Sequence, residues 1–251
     1  MFATLATADF WLMMGRGLLE TFYMVVVSTL LAYLIGLPLG LVLAVTDSEG
    51  LRPSPVLNKI LGTIVNLLRS VPFLIMVFLL NGLTLLIVGT TVGSTAMIVG
   101  LVVAAFPFVA RLVEGSAREV DRGILEASVS MGASTWQIIT KVILPECKPS
   151  LINGATVATT TILGYSAMAG ILGGGGLGSI AINYGYYRYK YLVMYVAVIL
   201  LILLGACIYL DSILPSYHIV IKVIKKAAVY SLVAVSMNLL NGFTGLFSLG
   251  Q

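Results

Sequence analysis

Charge is the scarcest ingredient of this 251-residue sequence: Asp, Glu, Lys and Arg make up 10% of it against 59% hydrophobic residues, and the mean hydropathy is +1.08. A chain of that length could bury one core, but so few charges, unevenly spread, cannot clothe it in water. Histidine occurs once, as His218, and cysteine twice, as Cys147 and Cys207, with no CxxC spacing and no histidine beside either. A zinc site and a disulfide framework are thereby excluded, and both cysteines read as structural. No nucleophile–base pair or cluster of metal ligands stands out, so catalytic, metal and cofactor-binding residues are all expected to be none. The formal charge of +4 forms no dense basic stripe with interleaved aromatics, which argues against nucleic acid as a partner.

What the sequence has is long uncharged runs. Residues 21–46, 70–110 and 149–187 carry no charge over 26, 41 and 39 positions, and a helix needs roughly 20 residues to cross the hydrocarbon. The class expected is an all-α polytopic membrane protein with the lipid bilayer as its solvent. Five spans are read at about 20–45, 57–80, 92–112, 151–172 and 191–210. In the first, Gly36 and Gly40 lie one turn apart with Pro38 between them, which predicts close helix packing and a mild kink. The 41-residue run is about twice too long for one crossing, so it must turn, and Asn81-Gly82 and the Gly89–Gly93 cluster mark the place. Gly173-Gly174-Gly175-Gly176-Leu177-Gly178 superficially resembles a nucleotide-binding glycine loop. It lacks the Lys-Ser/Thr that follows one and has no strand before it, so it reads as a tight loop.

Basic residues set the orientation. With the N-terminus outside, Arg52, Lys59, Arg111, Arg118, Arg122, Lys141, Lys148, Lys222, Lys225 and Lys226 fall inside and only Arg16, Arg188 and Lys190 outside. Asp9 precedes the first positive residue, Arg16, so no cleaved signal peptide is expected and the first span serves as its own insertion signal.

The one long polar stretch, residues 118–149, reads as two short amphipathic helices. Ile124, Leu125, Ser128 and Met131 share one face of the first, which Gly132 ends. Ser134 and Gln137 have capping-box spacing, and Ile138, Ile139, Val142 and Ile143 form a second apolar stripe that Pro145 ends. Within this elbow, Glu126-Ala127-Ser128, then Gly132, then Val142-Ile143-Leu144-Pro145 resembles the EAA loop of bacterial ABC importers, with Ser128 and Val142 as mild substitutions. The resemblance implies a type I importer permease whose loop docks into a cleft of an ATPase subunit. Glu126, Ala127, Ser128, Met131, Gly132, Ala133, Leu144 and Pro145 are the expected ATPase-coupling residues; as an alternative, Glu126 is only a solvated carboxylate.

Three more stretches resemble the methionine-import branch of that family: Arg69-Ser70-Val71-Pro72-Phe73, residues 105–111 (AFPFVAR) and residues 164–170 (GYSAMAG), within a similarity covering about 15–210. Membership implies a homodimer in the bacterial inner membrane, two ABC ATPase subunits that hold the ATP and magnesium, and an extracytoplasmic substrate-binding lipoprotein that delivers L- or D-methionine. By the same resemblance Tyr165 and Met168 are gate candidates. Thr161, Ser166 and Arg69 join them as pathway candidates, although small hydroxyl residues equally mark helix packing and Arg69 could snorkel or pair at a helix end. An ion-coupled carrier would need acids within the uncharged runs, which hold none.

The similarity stops near residue 210. Residues 227–251 form a further uncharged stretch, long enough for a sixth span, and residues 237–250 resemble the start of a branched-chain amino-acid ABC permease. A permease domain over 1–214 is therefore expected, with 215–251 read as the product of a fusion, frame error or truncation.

Overall fold

The computed structural model describes residues 8–213. The extra apolar stretch and His218 lie outside them. All regular structure among the described residues is helical: α1 (Ala8–Thr46), α2 (Pro55–Ser70), α3 (Phe73–Leu79), α4 (Asn81–Val88), α5 (Ser94–Arg118), α6 (Arg122–Ser130), α7 (Thr135–Ile138), α8 (Leu144–Glu146), α9 (Lys148–Ala169), α10 (Gly176–Ile180) and α11 (Tyr191–Ile213). Among the described residues four stretches are long and apolar enough to cross a bilayer by themselves: α1, α5, α9 with its 3₁₀ extension to Leu172, and Tyr191–Tyr209 of α11.

The fifth crossing differs from expectation. Residues 57–80 are not one helix, because α2 and α3 meet at a 104° bend. The cause is Pro72, which lacks an N–H and drives Val71 out of the helical region to ψ 123°. A turn does follow at Gly89 and Gly93, where φ is +80° and +103°, but Asn81-Gly82 opens α4 rather than turning the chain. Two bounds also move: α1 begins at Ala8, well before residue 20, and α5 runs on to Arg118.

The described chain divides into two compact units. One comprises Val25–Thr91 and Thr95–Tyr165; the other comprises the chain up to Met24, Val92–Ser94 and the part from Ser166 onward.

In the first unit the Gly36/Gly40 pair does what its spacing predicts. A Cβ at Gly36 would stand 2.8 Å from Cβ of Val109, and one at Gly40 2.7 Å from Cβ of Val113 and against the carbonyl oxygen of Ala110. Only glycine lets α1 and α5 approach so closely. At the foot of these helices an ionic network, not anticipated from the sequence, ties the chain together. Glu114 is buried and accepts from Arg111 at 2.7 Å and Arg118 at 2.6 Å. Arg118 also reaches Asp47 at 3.1 Å, and Arg111 donates to Gly62 O and Asn66 Oδ1, each at 3.0 Å. Arg122 pairs with Glu49 at the surface.

In the second unit Phe10, Met14, Leu177, Ile180, Val193 and Ala197 form the core. The glycine loop is a tight turn only as far as Gly175, and helical structure resumes at Gly176 and continues through a π-helical stretch, Ala181–Tyr186. Gly175 and Gly176 have φ of +77° and +74°. The freed amides of Gly176 and Leu177 donate to Glu20 Oε2 at 2.6 Å and Thr21 Oγ1 at 2.9 Å, and Thr21 in turn donates to Gly17 O. The amides of Gly173, Gly174, Gly176 and Leu177 thus all find acceptors within the chain.

Two outcomes test this description. Gly40→Val should overpack the α1–α5 seam by about 1–3 kcal/mol, lowering the melting temperature of the detergent-solubilised protein by several degrees. Glu114→Ala removes a buried carboxylate shared by two partly exposed arginines that keep other partners and should cost about 2 kcal/mol, whereas Glu49→Ala, at an exposed pair, should change the melting temperature little.

Candidate functional site

The elbow is built from caps. Asp121 begins α6 by accepting from the amides of Gly123 (2.7 Å) and Ile124 (3.3 Å). The helix ends in a Schellman motif: Gly132, at φ +79°, donates to Val129 O and Ala133 donates to Ser128 O. The capping box then forms as its spacing predicts, with Ser134 N donating to Gln137 Oε1 at 2.8 Å and Gln137 N to Ser134 Oγ at 3.3 Å.

One expectation for the elbow needs correction, the place where its second helix ends, and the shared face of the first proves mostly uncovered. Of the face assigned to the first helix, only Ser128 is buried, its hydroxyl donating to Ile124 O, and Leu125 is half-buried; Ile124 is exposed and Met131 is 79% exposed. Nor does Pro145 end the second helix. α7 widens into a π-helical turn, Ile139–Ile143, in which Leu144 N–H bonds back to Ile139 O. The wider turn relieves the clash that a proline ring makes with the carbonyl four residues back, and it absorbs the missing donor. Cys147 N then bonds Ile143 O and Leu151 N bonds Cys147 O, both at 2.9 Å, so α8 follows with one brief turn at Cys147 and runs into α9. Burial pushes the Cys147 thiol up, which suits a structural cysteine.

The tip of the elbow is apolar and bare. Glu126, Ala127, Gly132 and Pro145 are exposed, Ala133 and Leu144 half-buried, and Glu126 makes no ion pair among the described residues. Trp136, five residues after Met131 in the chain, is 73% exposed, and the sequence reading passed over it. A tryptophan in the first turn of a helix in the one polar stretch was the available signal. Exposed Met131 and Trp136 on a segment that also bears small Ala127, Gly132 and Ala133 give the elbow the composition of a protein-contact hot spot.

Further up, the structure brings the quoted motifs together within the first unit. Tyr165 of α9 stacks on Phe73 of α3, ring centroids 5.0 Å apart and planes 1° apart. Arg69, in the last turn of α2, lies exposed with its guanidinium 5.9 Å from the ring centroid of Phe108. Past Tyr165 along the helix, Ser166 is buried and Met168 is half exposed. Thr156, Thr159, Thr160 and Thr161 donate to the carbonyls four residues back, Thr161 to Val157 O at 2.8 Å. Their hydroxyls are spent on their own helix, so along this row α9 presents methyl groups. Among the described residues there is no group of His, Cys, Asp and Glu able to hold a metal ion.

The family model for the binding-protein-dependent transport system inner membrane component matches residues 36–213. The chain is 47% identical to the "Probable D-methionine transport system permease protein MetI" of Vibrio cholerae over 74% of its own length and 82% of that protein's. It is 44% identical to the methionine import system permease protein MetP of Bacillus subtilis over 64% of this chain and 73% of that one. A chain of the MetNI methionine ABC transporter, solved in inward facing conformations, matches with 39% identity and a TM-score of 0.81, covering 88% of this chain and 99% of that one. With its bent second crossing, capped elbow and helical spans, the chain belongs to the binding-protein-dependent transport system inner membrane components.

Proposed function

We propose that this chain is the membrane-spanning permease subunit of an ATP-driven methionine importer, alternating between outward and inward access as a homodimer. It sits in the bacterial inner membrane with its N-terminus outside and works with two ATPase subunits, which hold the ATP and magnesium, and a substrate-binding lipoprotein. The chain itself does no catalysis. The observation that carries the reading is the elbow, whose bare Met131–Trp136 tip connects through the π-helical turn at Pro145 to α9, the helix bearing Tyr165 and Met168.

A push on that tip travels along backbone hydrogen bonds and is not lost in a flexible loop. Glu126, Ala127, Ser128, Gly132, Ala133, Leu144 and Pro145 shape and support the tip. Tyr165, stacked on Phe73, and Met168 beyond it close the path in this reading, and Thr161, Ser166 and Arg69, whose guanidinium lies near the Phe108 ring, line it.

Reconstitution with the ATPase and binding protein tests the cargo: uptake of L- or D-methionine should be saturable and require ATP, and uptake of a different amino acid alone would overturn the substrate. A second measurement tests the coupling. Trp136→Ala should weaken binding of the ATPase subunit by about tenfold or more. Gly132→Val, forced into a left-handed backbone that a β-branched residue resists, should insert normally yet abolish most uptake. Unchanged uptake in both variants would remove the elbow from the mechanism.

A further inference from the structure

Arg188 and Lys190 are the exception to the charge asymmetry of this chain, and they stand inside a concentration of tyrosine. Six tyrosines fall within twelve residues: Tyr184, Tyr186, Tyr187, Tyr189, Tyr191 and Tyr195. All but Tyr184 are exposed. The turn that displays them is firmly built. Tyr187 N donates to Ile182 O at 2.9 Å and Lys190 N to Tyr184 O at 3.0 Å, and Tyr189 adopts φ +56°. The π-helical stretch packs against α11 so closely that a Cβ at Gly185 would stand 3.1 Å from Cα of Met194.

The depth of this turn follows from what comes next. α11 starts at Tyr191, and no charge appears before Asp211, so the turn lies where hydrocarbon gives way to water. Tyrosine favours that boundary because its ring is apolar and its hydroxyl is not. Tyr191 and Tyr195 share a helical face with Val198, Ile199 and Ile202, all exposed. That face is the one expected to meet lipid chains.

The two cations lack an acid. No Asp or Glu lies between Glu146 and Asp211, and neither cation forms an ion pair among the described residues. The Arg188 guanidinium instead lies 4.7 Å from the Tyr184 ring centroid, which holds it over an aromatic face with its N–H fork still available.

We propose that the turn over residues 184–191 is a binding site for anionic phospholipid headgroups, with Arg188 and Lys190 taking the phosphate and the tyrosines seating the turn at the membrane boundary. The topology proposed above would assign the site to the outer leaflet; the chemistry is the same in either.

The test uses the full chain in nanodiscs made from mixtures of zwitterionic phosphatidylcholine and anionic phosphatidylglycerol, with retained lipid counted by native mass spectrometry. The wild type should retain phosphatidylglycerol over phosphatidylcholine about tenfold more strongly than the Arg188→Gln/Lys190→Gln double variant, the size expected of two cations near an anionic surface. Arg188→Lys/Lys190→Arg, which keeps both charges, should keep the preference, and excess inorganic phosphate should not displace the lipid. Equal retention in wild type and the Gln variant, loss of the preference in the charge-keeping variant, or displacement by free phosphate would each overturn the proposal. So would an unchanged lipid preference in the Gln variant accompanied by weaker capture of the binding protein or loss of the homodimer, because the surface would then be a protein interface.

Discussion

A peptide group in hydrocarbon has no water to bond, and an unpaired one there costs several kcal/mol. Two breaks in the helices, one on the polar elbow and one at the glycine loop, keep their backbone groups paired. At Pro145 the ladder widens to a π-helical turn and continues. Beyond α9, where the glycines turn the chain, side chains from α1 take over as acceptors, Glu20 for Gly176 and Thr21 for Leu177. The threonines of α9 turn their hydroxyls back onto their own carbonyls. Composition demanded helices, and this demand decided where helices could be interrupted.

Features set by neighbours in sequence were legible. The Ser134–Gln137 box, the left-handed Gly132 and the Gly36/Gly40 seam all appear where residue spacing put them. Each depends on an interaction within one turn or on a missing Cβ, and such things are visible in a string. The long-range pairs were not. Glu20 and Gly176 are 156 positions apart, and nothing local marks Glu20 as a cap rather than a residue at a span's edge. Nor does anything local single out Glu114, although it is the buried centre of the network at the helix feet.

Proline misled in both directions. Pro145 was read as a stop, yet the backbone absorbs it; Pro72 was passed over within a continuous apolar run, yet it produces the 104° bend. The difference lies in the preceding residue: Leu144 keeps a helical backbone with ψ −44°, while Val71 is extended. On the elbow the two apolar faces read from spacing fare differently: Ile138 and Ile143 of the second are buried, while Ile124 and Met131 of the first are exposed. Periodicity identifies a face and does not say whether the chain itself covers it.

The seam at Gly40 limits how this protein can change shape. A carbonyl and a valine side chain of α5 occupy the space where α1 has no side chain. Sliding one helix along the other by part of a turn would drive Leu37 or Leu43, which flank Gly40 on that face of α1, toward the notch. The notch therefore works as a detent: α1 and α5 can tilt or travel together, but neither can creep past the other.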